Sequence, residues 1–292
     1  MSLTVVKHFP NFVCRNQGNS SIWVAQEFVG PADVALLADA DRLFEEPGCE
    51  IIKDQRKIKV ARIRINLGGA ARTLYLKRYN AFSWRVLLGS LFRDSGAIRA
   101  LRAAAVLLQA GIATAKPVAV VESRSWGMVT KSFFFTEEIP RGKTVDVFWR
   151  DDLSALAGQT GVRRRRDFLR ALASVFESLH DQGIYHGDLK DANILVVPGT
   201  DARADCFFLL DLEGVRKYHR LSDRRRIKNL VQLNRTLGRH VRRTEKLYFL
   251  ARYLSSRFDD RRRKRLWSAA ILRRSQSLDR KKLAAKKATA TL

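Results

Sequence analysis

His186–Asn193, with the sequence HGDLKDAN, is the stretch that decides the fold of this chain. It lies between a helix-like segment, Phe168–Asp181, and an apolar run typical of a strand, Ile194–Val197. Eighteen residues after Asn193, Asp211 follows a second apolar run. An Asp, a Lys two residues on, an Asn five residues on and an Asp after the next strand are the side chains that a phosphoryl-transfer site needs. The spacing therefore predicts such a site.

Each of these four side chains has an expected role. Asp188 would accept the proton of an attacking hydroxyl, and Lys190 would neutralise charge on the γ-phosphoryl group of ATP. Asn193 and Asp211 offer the hard oxygen ligands that Mg²⁺ prefers. The alternative is a polar turn in which Asp and Asn cap backbone amides, because turns collect these residues. The length of the match favours the catalytic interpretation.

The segment before this motif has a different pattern of apolar and polar residues. Apolar and polar residues alternate with period two over Ile51–Ile52, Ile58–Ile65 and Thr73–Lys77, which predicts strands. Gly68 and Gly69 mark a hairpin turn between the second and third of them. Lys77 ends the third strand, from which its ammonium group can reach the α- and β-phosphates of ATP. Taken alone, a lysine here is typical of a solvated strand end.

Helices are predicted on both sides of the motif. A helix over Pro31–Phe44 begins with a proline suited to the first turn. Another covers Gly96–Gln109 and ends at Gly111, as a glycine after a helix does. A strand pair follows over 118–122 and 126–135, and the chain is mostly helical after residue 145.

The predicted fold is α+β and bilobal, with a small antiparallel-sheet lobe and a larger helical lobe. The expected boundaries are an N-terminal extension at 1–47, the small lobe at 48–140, the large lobe at 141–240 and a basic helical segment and tail at 241–292. Within that last part, Arg280–Leu292 is rich in Lys and Ala and is predicted to be a frayed tail.

These motifs resemble the protein-kinase-like superfamily and, more closely, the lipopolysaccharide kinase (Kdo/WaaP) family of Gram-negative bacteria. The segments that carry the resemblance are Leu74–Tyr79, Ala110–Pro117, His186–Val196 and Leu209–Glu213, and it extends from about residue 48 to about residue 240. It implies ATP-dependent phosphorylation of heptose or Kdo in the lipopolysaccharide inner core, with Mg²⁺. It also implies that Glu137 and Ile139, in the connector after the last predicted strand, contact the nucleotide.

The chain departs from the pattern of protein kinases in several places. Gly187 replaces the arginine of His-Arg-Asp, so no cation is present to dock a phosphorylated activation loop. The second metal motif reads Asp211-Leu212-Glu213-Gly214, and no Ala-Pro-Glu follows. The Gly-rich phosphate loop is also absent, and the cationic stretch 53–57 stands in its place. A protein kinase is therefore the less favoured alternative.

The most consequential departure concerns the partner of Lys77. In kinases a Glu on the following helix pairs with the strand lysine, and here that position falls at or near Ala100. Residues 95–109 contain no acidic side chain at all, and Glu122 is a candidate substitute. A nucleotide-binding pseudokinase scaffold therefore remains an alternative to an active kinase.

The net charge of +26 is concentrated at one end of the chain. The 77 residues from Arg216 onward hold 26 Lys and Arg against 5 Asp and Glu, which leaves a net charge of only +5 for the first 215 residues. An anionic membrane and the anionic glycolipid acceptor are the favoured partners of this segment. Nucleic acid is less favoured because no recognisable module accompanies the charge. A solvated basic face is the plain alternative.

Two further features bear on the compartment. The three cysteines, Cys14, Cys49 and Cys206, show neither a C-x-x-C pair nor metal-ligand spacing, so a disulfide framework or a zinc site is not expected. No secretory signal is visible in the first residues. Arginines interrupt the longest apolar-rich stretch, 97–115, so it predicts a buried helix and not a membrane span. The expected location is the cytoplasm, peripheral to the cytoplasmic face of the inner membrane. Trp267, with Leu266 and Ile271, is either an interfacial anchor or part of the core.

Overall fold

The computed structural model describes residues 4–5, 9, 11–81, 83–199, 204–255 and 260–290. The chain divides into two compact units. The first contains Met1–Gln109 and Ala115–Ile139, and the second contains Ala110–Thr114 and Pro140–Leu292. The predicted α+β class is confirmed, because a large antiparallel sheet forms in the first unit and long helices form in the second.

An antiparallel sheet of eight strands frames the first unit, in the order β1-β2-β3-β7-β8-β6-β5-β4. The strands are β1 (Thr4–Val5), β2 (Phe12–Gln17), β3 (Ser20–Ala25), β4 (Glu50–Asp54), β5 (Ile58–Leu67), β6 (Ala70–Asn80), β7 (Pro117–Ser125) and β8 (Met128–Glu137). The N-terminal extension thus supplies three strands of this sheet. Gly68 and Gly69, with φ of 61° and 74°, form the predicted two-residue turn between β5 and β6.

The helices of the first unit are α1 (Pro31–Ala38), α2 (Trp84–Gly89) and α3 (Gly96–Gln109). The helix predicted over Pro31–Phe44 is shorter than expected: α1 ends at Ala38, and a separate 3-10 turn covers Arg42–Phe44. Leu37 of α1 belongs to a core that also contains Leu74 and Leu76 of β6, and all three are fully buried. Helix α3 packs against β6, β7 and β8.

The second unit is mainly helical. Its helices are α4 (Val145–Phe148), α5 (Gly158–Asp181), α6 (Asp223–Arg235), α7 (Arg243–Leu254) and α8 (Arg261–Ala290). Its short strands are β9 (Lys143–Thr144), β10 (Ile184–Tyr185), β11 (Ile194–Val197), β12 (Cys206–Leu209) and β13 (Arg216–Lys217). Strand β11 pairs with both β9 and β12, and β10 pairs with β13. Helix α5 packs on α7, and α6 packs on α8. The segment with the predicted site residues lies between α5 and α6 in sequence.

The C-terminal helix corrects one prediction. Arg280–Leu292 was expected to be a frayed tail, but α8 continues as one helix to Ala290, while Thr291 and Leu292 lie outside the described residues. Ala, Lys and Leu are strong helix formers, which explains the continuation. Side-chain contacts hold α8 to α6: for example, Asn234 Nδ2 donates to Ser275 Oγ at 2.9 Å, and Arg235 Nε donates to an oxygen of Asp279 at 2.9 Å.

The aromatic residue of this helix is part of the core. Trp267 is 5% exposed, and its ring centroid lies 5.9 Å from that of Tyr253. Ile271 is buried as well, whereas Leu266 is exposed. Of the two possibilities for Trp267 and Ile271, the structure therefore favours core packing over an interfacial anchor. None of the described helices is both long enough and apolar enough to cross a bilayer.

Candidate active site

Lys77 lies near the end of β6 in the first unit. Its strand neighbours are Val60 of β5 and Phe134 of β8, so hydrogen-bonded strands hold its backbone on both sides. Leu76 points into the fully buried core, and the alternation of a strand places Lys77 on the opposite face of the sheet. Its Nζ lies 4.8 Å from the centroid of the Tyr79 ring. The ammonium group is thus carried by a rigid strand and only partly exposed.

Helix α3 brings no carboxylate to this face. It begins at Gly96, where an added Cβ would lie 2.7 Å from the ring of Tyr79, so glycine allows the helix to start directly against β6. Ala100, at or near which the glutamate of kinases is expected, is buried. The proposed substitute, Glu122, is also buried, and its Oε2 lies 2.5 Å from Arg124 Nη2. Arg124 is therefore the cation that the structure shows at this carboxylate.

Glu137 and Ile139 lie at the end of the first unit. Glu137 Oε1 accepts a hydrogen bond from Arg72 Nη1 at 3.3 Å and lies 3.6 Å from Lys116 Nζ. The backbone N–H of Glu137 donates to Lys116 O, which ties β8 to the start of β7. The side chain of Glu137 thus serves local ion pairs, while Ile139 is the last residue of this unit.

The motif in the second unit forms a compact cluster around Asp188. Lys190 Nζ donates to Asp188 Oδ2 at 2.7 Å, and Asn193 Nδ2 donates to the same oxygen at 3.1 Å. Asn193 Nδ2 also donates to the backbone oxygen of Asp188 at 2.8 Å. A 3-10 turn over Asp191–Asn193 brings these side chains together. Three of the four predicted residues are therefore in direct contact.

Asp211 is held close to this cluster by the backbone. Leu210 N donates to Asn193 O at 2.9 Å, so the residue before Asp211 is bonded to the predicted metal ligand Asn193. Asp211 has φ 58° and ψ 55°, a left-handed conformation that a residue with a Cβ rarely adopts. Backbone strain of this kind is found at functional sites, where the surrounding structure enforces it. Asp211 is one of four described non-glycine residues with a positive φ, and of these it alone belongs to the predicted site.

His186 stabilises the loop through two hydrogen bonds of its imidazole ring. Burial lowers the pKa of His186, so the imidazole is neutral near pH 7. The neutral ring accepts from the backbone N–H of Asp188 at Nδ1, at 3.2 Å, and donates from Nε2 to Leu210 O, at 2.9 Å. The side chain of His186 thereby connects Asp188 to Leu210, the residue before Asp211.

The structure gives a steric reason for glycine at position 187, where protein kinases have an arginine. A Cβ at Gly187 would lie 3.0 Å from both the Cα and the carbonyl oxygen of Gly214, so the two glycines allow close approach of two backbone segments. Gly214 ends the short turn that follows Asp211. The loop and the Asp211 turn are therefore packed backbone to backbone.

Two side chains of α6 that the sequence analysis did not identify hold the loop from outside. Asn229 Nδ2 donates to His186 O at 2.6 Å, and Gln232 Nε2 donates to Gly187 O at 2.7 Å. Gln232 Oε1 accepts from the backbone N–H of Leu189 at 3.1 Å. Asn229 is fully buried and its Oδ1 lies 3.0 Å from His180 Nε2. Their spacing of three residues on one helix face was the only signal in the sequence, and it carries no motif.

The donor set fits a magnesium ion with nucleotide phosphates. Among the described residues, no three or more His, Cys, Asp or Glu side chains lie close enough together to hold a metal ion. Mg²⁺ is commonly held by only one or two protein oxygens together with phosphates and water. Both side-chain hydrogen bonds of Asn193 use Nδ2, so Oδ1 takes part in neither of them. Asn193 and Asp211 are the residues that would hold such an ion.

The predicted residues fall into two groups. Lys77, Glu137 and Ile139 belong to the first unit, and Asp188, Lys190, Asn193 and Asp211 belong to the second. Within the second unit the structure brings its four residues together.

Comparison with known proteins gives a family and related solved structures. The model of the lipopolysaccharide kinase (Kdo/WaaP) family matches residues 52–253. A solved structure, described as WaaP in complex with acyl carrier protein, aligns over 84% of this chain and 96% of that chain, with 21% identity and a TM-score of 0.60. This likeness shows a shared fold. No curated protein matches the sequence.

Proposed function

Because the chain belongs to the lipopolysaccharide kinase (Kdo/WaaP) family, we propose that it transfers the γ-phosphoryl group of ATP to a hydroxyl of heptose or Kdo in the lipopolysaccharide inner core. The observation that carries this proposal is the cluster of Lys190 and Asn193 on Asp188 Oδ2. A base, a cation and a metal ligand are assembled within hydrogen-bonding distance, as phosphoryl transfer requires.

Asp188 is the proposed base. Both hydrogen bonds to its side chain fall on Oδ2, and its side chain is 47% exposed, so Oδ1 is open to an incoming hydroxyl. As the acceptor oxygen bonds to the γ-phosphorus, the bond from that phosphorus to the bridging oxygen breaks, ADP leaves and the proton passes to Asp188 Oδ1. Lys190, beside this carboxylate, neutralises the negative charge on the γ-phosphoryl group during the transfer.

The remaining residues bind the nucleotide in this proposal. Asn193 and Asp211 would hold Mg²⁺, which would neutralise phosphate charge. Lys77 contacts the α- and β-phosphates. The side chain of Glu137 is used by Arg72, so the adenine contacts of the connector come from the backbone of Glu137 and Ile139.

One observation favours a second candidate, a nucleotide-binding pseudokinase. Helix α3 has no acidic residue, and the buried Glu122 is paired with Arg124. Kinases orient the strand lysine with a glutamate on this helix, and a protein that lacks that glutamate can bind ATP while transfer is slow. The cluster at Asp188 favours the active enzyme, because a scaffold has no use for an exposed base flanked by a lysine.

The proposed location is the cytoplasmic face of the inner membrane, where the acceptor is assembled. The exposed arginines at the start of α8, Arg261, Arg262 and Arg265, support attachment to an anionic surface. Nucleic acid is not proposed as a partner.

The experiment is mass spectrometry of lipid A–core oligosaccharide from a strain that lacks the protein, with strains complemented by wild type or by Asp188→Asn. We expect the core to lose the mass of one phosphate on deletion and to regain it only with wild type. Restoration by Asp188→Asn would favour the scaffold. A core that is unchanged on deletion would contradict both the acceptor and the reaction.

A further inference from the structure

A cationic cavity in the second unit lies apart from the catalytic cluster. Its volume is about 1030 Å³, and α5, α7 and the turn before α5 line it. None of Asp188, Lys190, Asn193 and Asp211 is among its lining residues. It is therefore a separate concave site that phosphoryl transfer does not explain.

Arginines dominate the wall of this cavity. Arg163, Arg166 and Arg170 are spaced three and four residues apart, which places them on one face of α5. Arg242, at the N-terminal end of α7, also lines the cavity. All four are exposed, so their guanidinium groups are accessible to a ligand.

Not all of this charge is compensated. Arg170 pairs with Asp167 at 2.7 Å, and the buried Arg165 pairs with Glu245 at 3.0 Å. Within the described ranges, no carboxylate forms an ion pair with Arg163, Arg166 or Arg242. Three guanidinium groups that no described carboxylate neutralises thus line one cavity, which gives it a positive potential that attracts anions.

The frame that holds these groups is rigid. Arg165 donates from Nη1 to Leu153 O at 3.2 Å and to Leu156 O at 2.8 Å, besides its pair with Glu245. Glu245 in turn accepts from the backbone N–H of Arg242 at 2.9 Å. The turn before α5 and the start of α7 are therefore joined through one buried arginine. A preorganised wall lowers the entropic cost of binding.

We propose that this cavity binds the phosphate groups of a phosphorylated headgroup, at a site distinct from that of ATP. Guanidinium groups form paired, charge-assisted hydrogen bonds with phosphate oxygens. The volume is at the upper end of small-molecule sites, so it accommodates a sugar that carries phosphate, not only a single ion. Tyr248, which also lines the cavity, offers an aromatic surface beside Arg166, whose guanidinium carbon lies 5.8 Å from the ring centroid.

His240 also lines the cavity, and its carbonyl oxygen accepts from Trp149 Nε1 at 3.3 Å. The binding site itself does not depend on phosphoryl transfer, so it stands or falls separately from the proposed function.

The test is calorimetric binding of inorganic pyrophosphate to the full chain in buffer without Mg²⁺. The triple variant Arg163→Ala/Arg166→Ala/Arg242→Ala should raise Kd more than about tenfold, since tenfold corresponds to ~1.4 kcal/mol, less than one charge-assisted hydrogen bond contributes. The matched control removes three exposed arginines of α8, at Arg265, Arg273 and Arg274, and should change Kd less than about twofold.

Further measurements separate the possible results. ATP affinity in the presence of Mg²⁺ should be the same in both triple variants. Equal losses of pyrophosphate binding in the two variants would show a general charge effect and overturn the site, as would unchanged binding in the first. Should the alanine variant be unstable, the charge-preserving Arg→Lys triple at the same positions is expected to bind more weakly than wild type. Wild-type affinity in that variant would contradict guanidinium recognition.

Two probes then distinguish the source of the phosphate. Glucose 1,6-bisphosphate represents a soluble sugar phosphate, and vesicles of phosphatidylcholine with phosphatidic acid represent a lipid-borne phosphate. The probe whose binding is lost in the Arg163/Arg166/Arg242 variant, but kept in the α8 control, identifies the source. If neither probe distinguishes the two variants, the cavity does not bind headgroups.

Discussion

Asn229 Nδ2 donates to the carbonyl oxygen of His186 at 2.6 Å, so a buried side chain of α6 holds the loop that carries Asp188. Asn229 is itself oriented by His180, whose other ring nitrogen lies 2.8 Å from the hydroxyl of Tyr253 in α7. The position of the catalytic loop is thus determined by the basic segment from Arg216 onward as well as by the loop's own sequence.

Asn229→Ala should impair both stability and turnover. It leaves His186 O and His180 Nε2 without these buried partners, which costs about 1–3 kcal/mol for each unsatisfied group. We expect a lower free energy of unfolding and, at a temperature where the variant is folded, a lower kcat with little change in KM for ATP. The control is Asn234→Ala on the same helix, which loses a bond to Ser275 and not to the loop. An equal fall of kcat in both variants would contradict a positioning role.

Asp188→Asn should reduce phosphoryl transfer by about 10²–10⁴-fold, the usual contribution of a general base. Nucleotide affinity should survive, because Asn193 and Asp211 are unchanged. Asp152→Asn, which alters an exposed pair with Lys143, is the matched control and should retain activity. Turnover and nucleotide binding are measured in both. Near-normal turnover in Asp188→Asn would remove the assignment of this residue as the base.

Lys77→Met should raise KM for ATP or abolish turnover, because the strand-borne ammonium group contacts the phosphates in the proposed function. Lys131→Met on β8 is the control, since its partner is Asp41 in the first unit. Steady-state kinetics at varied ATP decide the matter. If Lys77→Met behaves as wild type, Lys77 is an ordinary strand-end residue.

The stability of the protein should fall between neutral pH and pH 4, partly because of His180. Burial lowers the pKa of His180 from 6.5 to about 4, so the unfolded chain binds a proton in this range that the folded protein does not. The stabilising contribution is complete above pH 6.5 and decreases as the pH falls, by about 3 kcal/mol at pH 4.

Urea unfolding of wild type and His180→Leu at pH 7 and pH 5 measures this effect. The difference in free energy of unfolding between the two pH values should be smaller in the variant, although His186, whose pKa is also lowered by burial, still contributes. Identical differences in the two proteins would show that His180 titrates normally.

Sequence periodicity predicted the regular elements well where side-chain burial alternates. Strand β11 and helix α3 have the predicted bounds, Ile194–Val197 and Gly96–Gln109. The hairpin of β2 and β3 was not predicted, because Asn, Gln and Ser interrupt its apolar residues around Gly18. Strand β3 of this hairpin pairs with β7, which is far away in sequence, so no local pattern encodes that contact.

For the site too, contacts between residues close in sequence could be predicted and long-range contacts could not. Asp188, Lys190 and Asn193 lie within six residues, so their spacing alone brings them together. Gln232 reaches the same loop across more than forty residues, and no local pattern encodes that contact. The reason for Gly187 was equally inaccessible, because it depends on the approach of Gly214 after the chain has folded.

The segment from Arg216 onward should bind anionic membranes through its charge. Liposomes with anionic lipid should bind the protein, neutral liposomes should bind poorly, and binding should fall steeply with salt, since the Debye length is about 10 Å at 0.1 M. Replacing Arg261, Arg262, Arg263, Lys264 and Arg265 by Gln should weaken binding with little change in melting temperature. These residues begin α8 at its surface, while Trp267 and Ile271 provide its buried contacts.

A control with equal loss of charge decides whether the position of the cations matters. The control carries Gln at five exposed cations of the first unit: Arg42, Lys53, Arg56, Lys57 and Arg64. Each Lys or Arg near an anionic surface contributes on the order of 1 kcal/mol, so only the cations that face the bilayer should matter. Equal weakening in both variants would indicate a nonspecific charge effect. Unfolding of the α8 variant would make its cations structural, and stronger competition by duplex DNA than by anionic liposomes would favour nucleic acid as the partner.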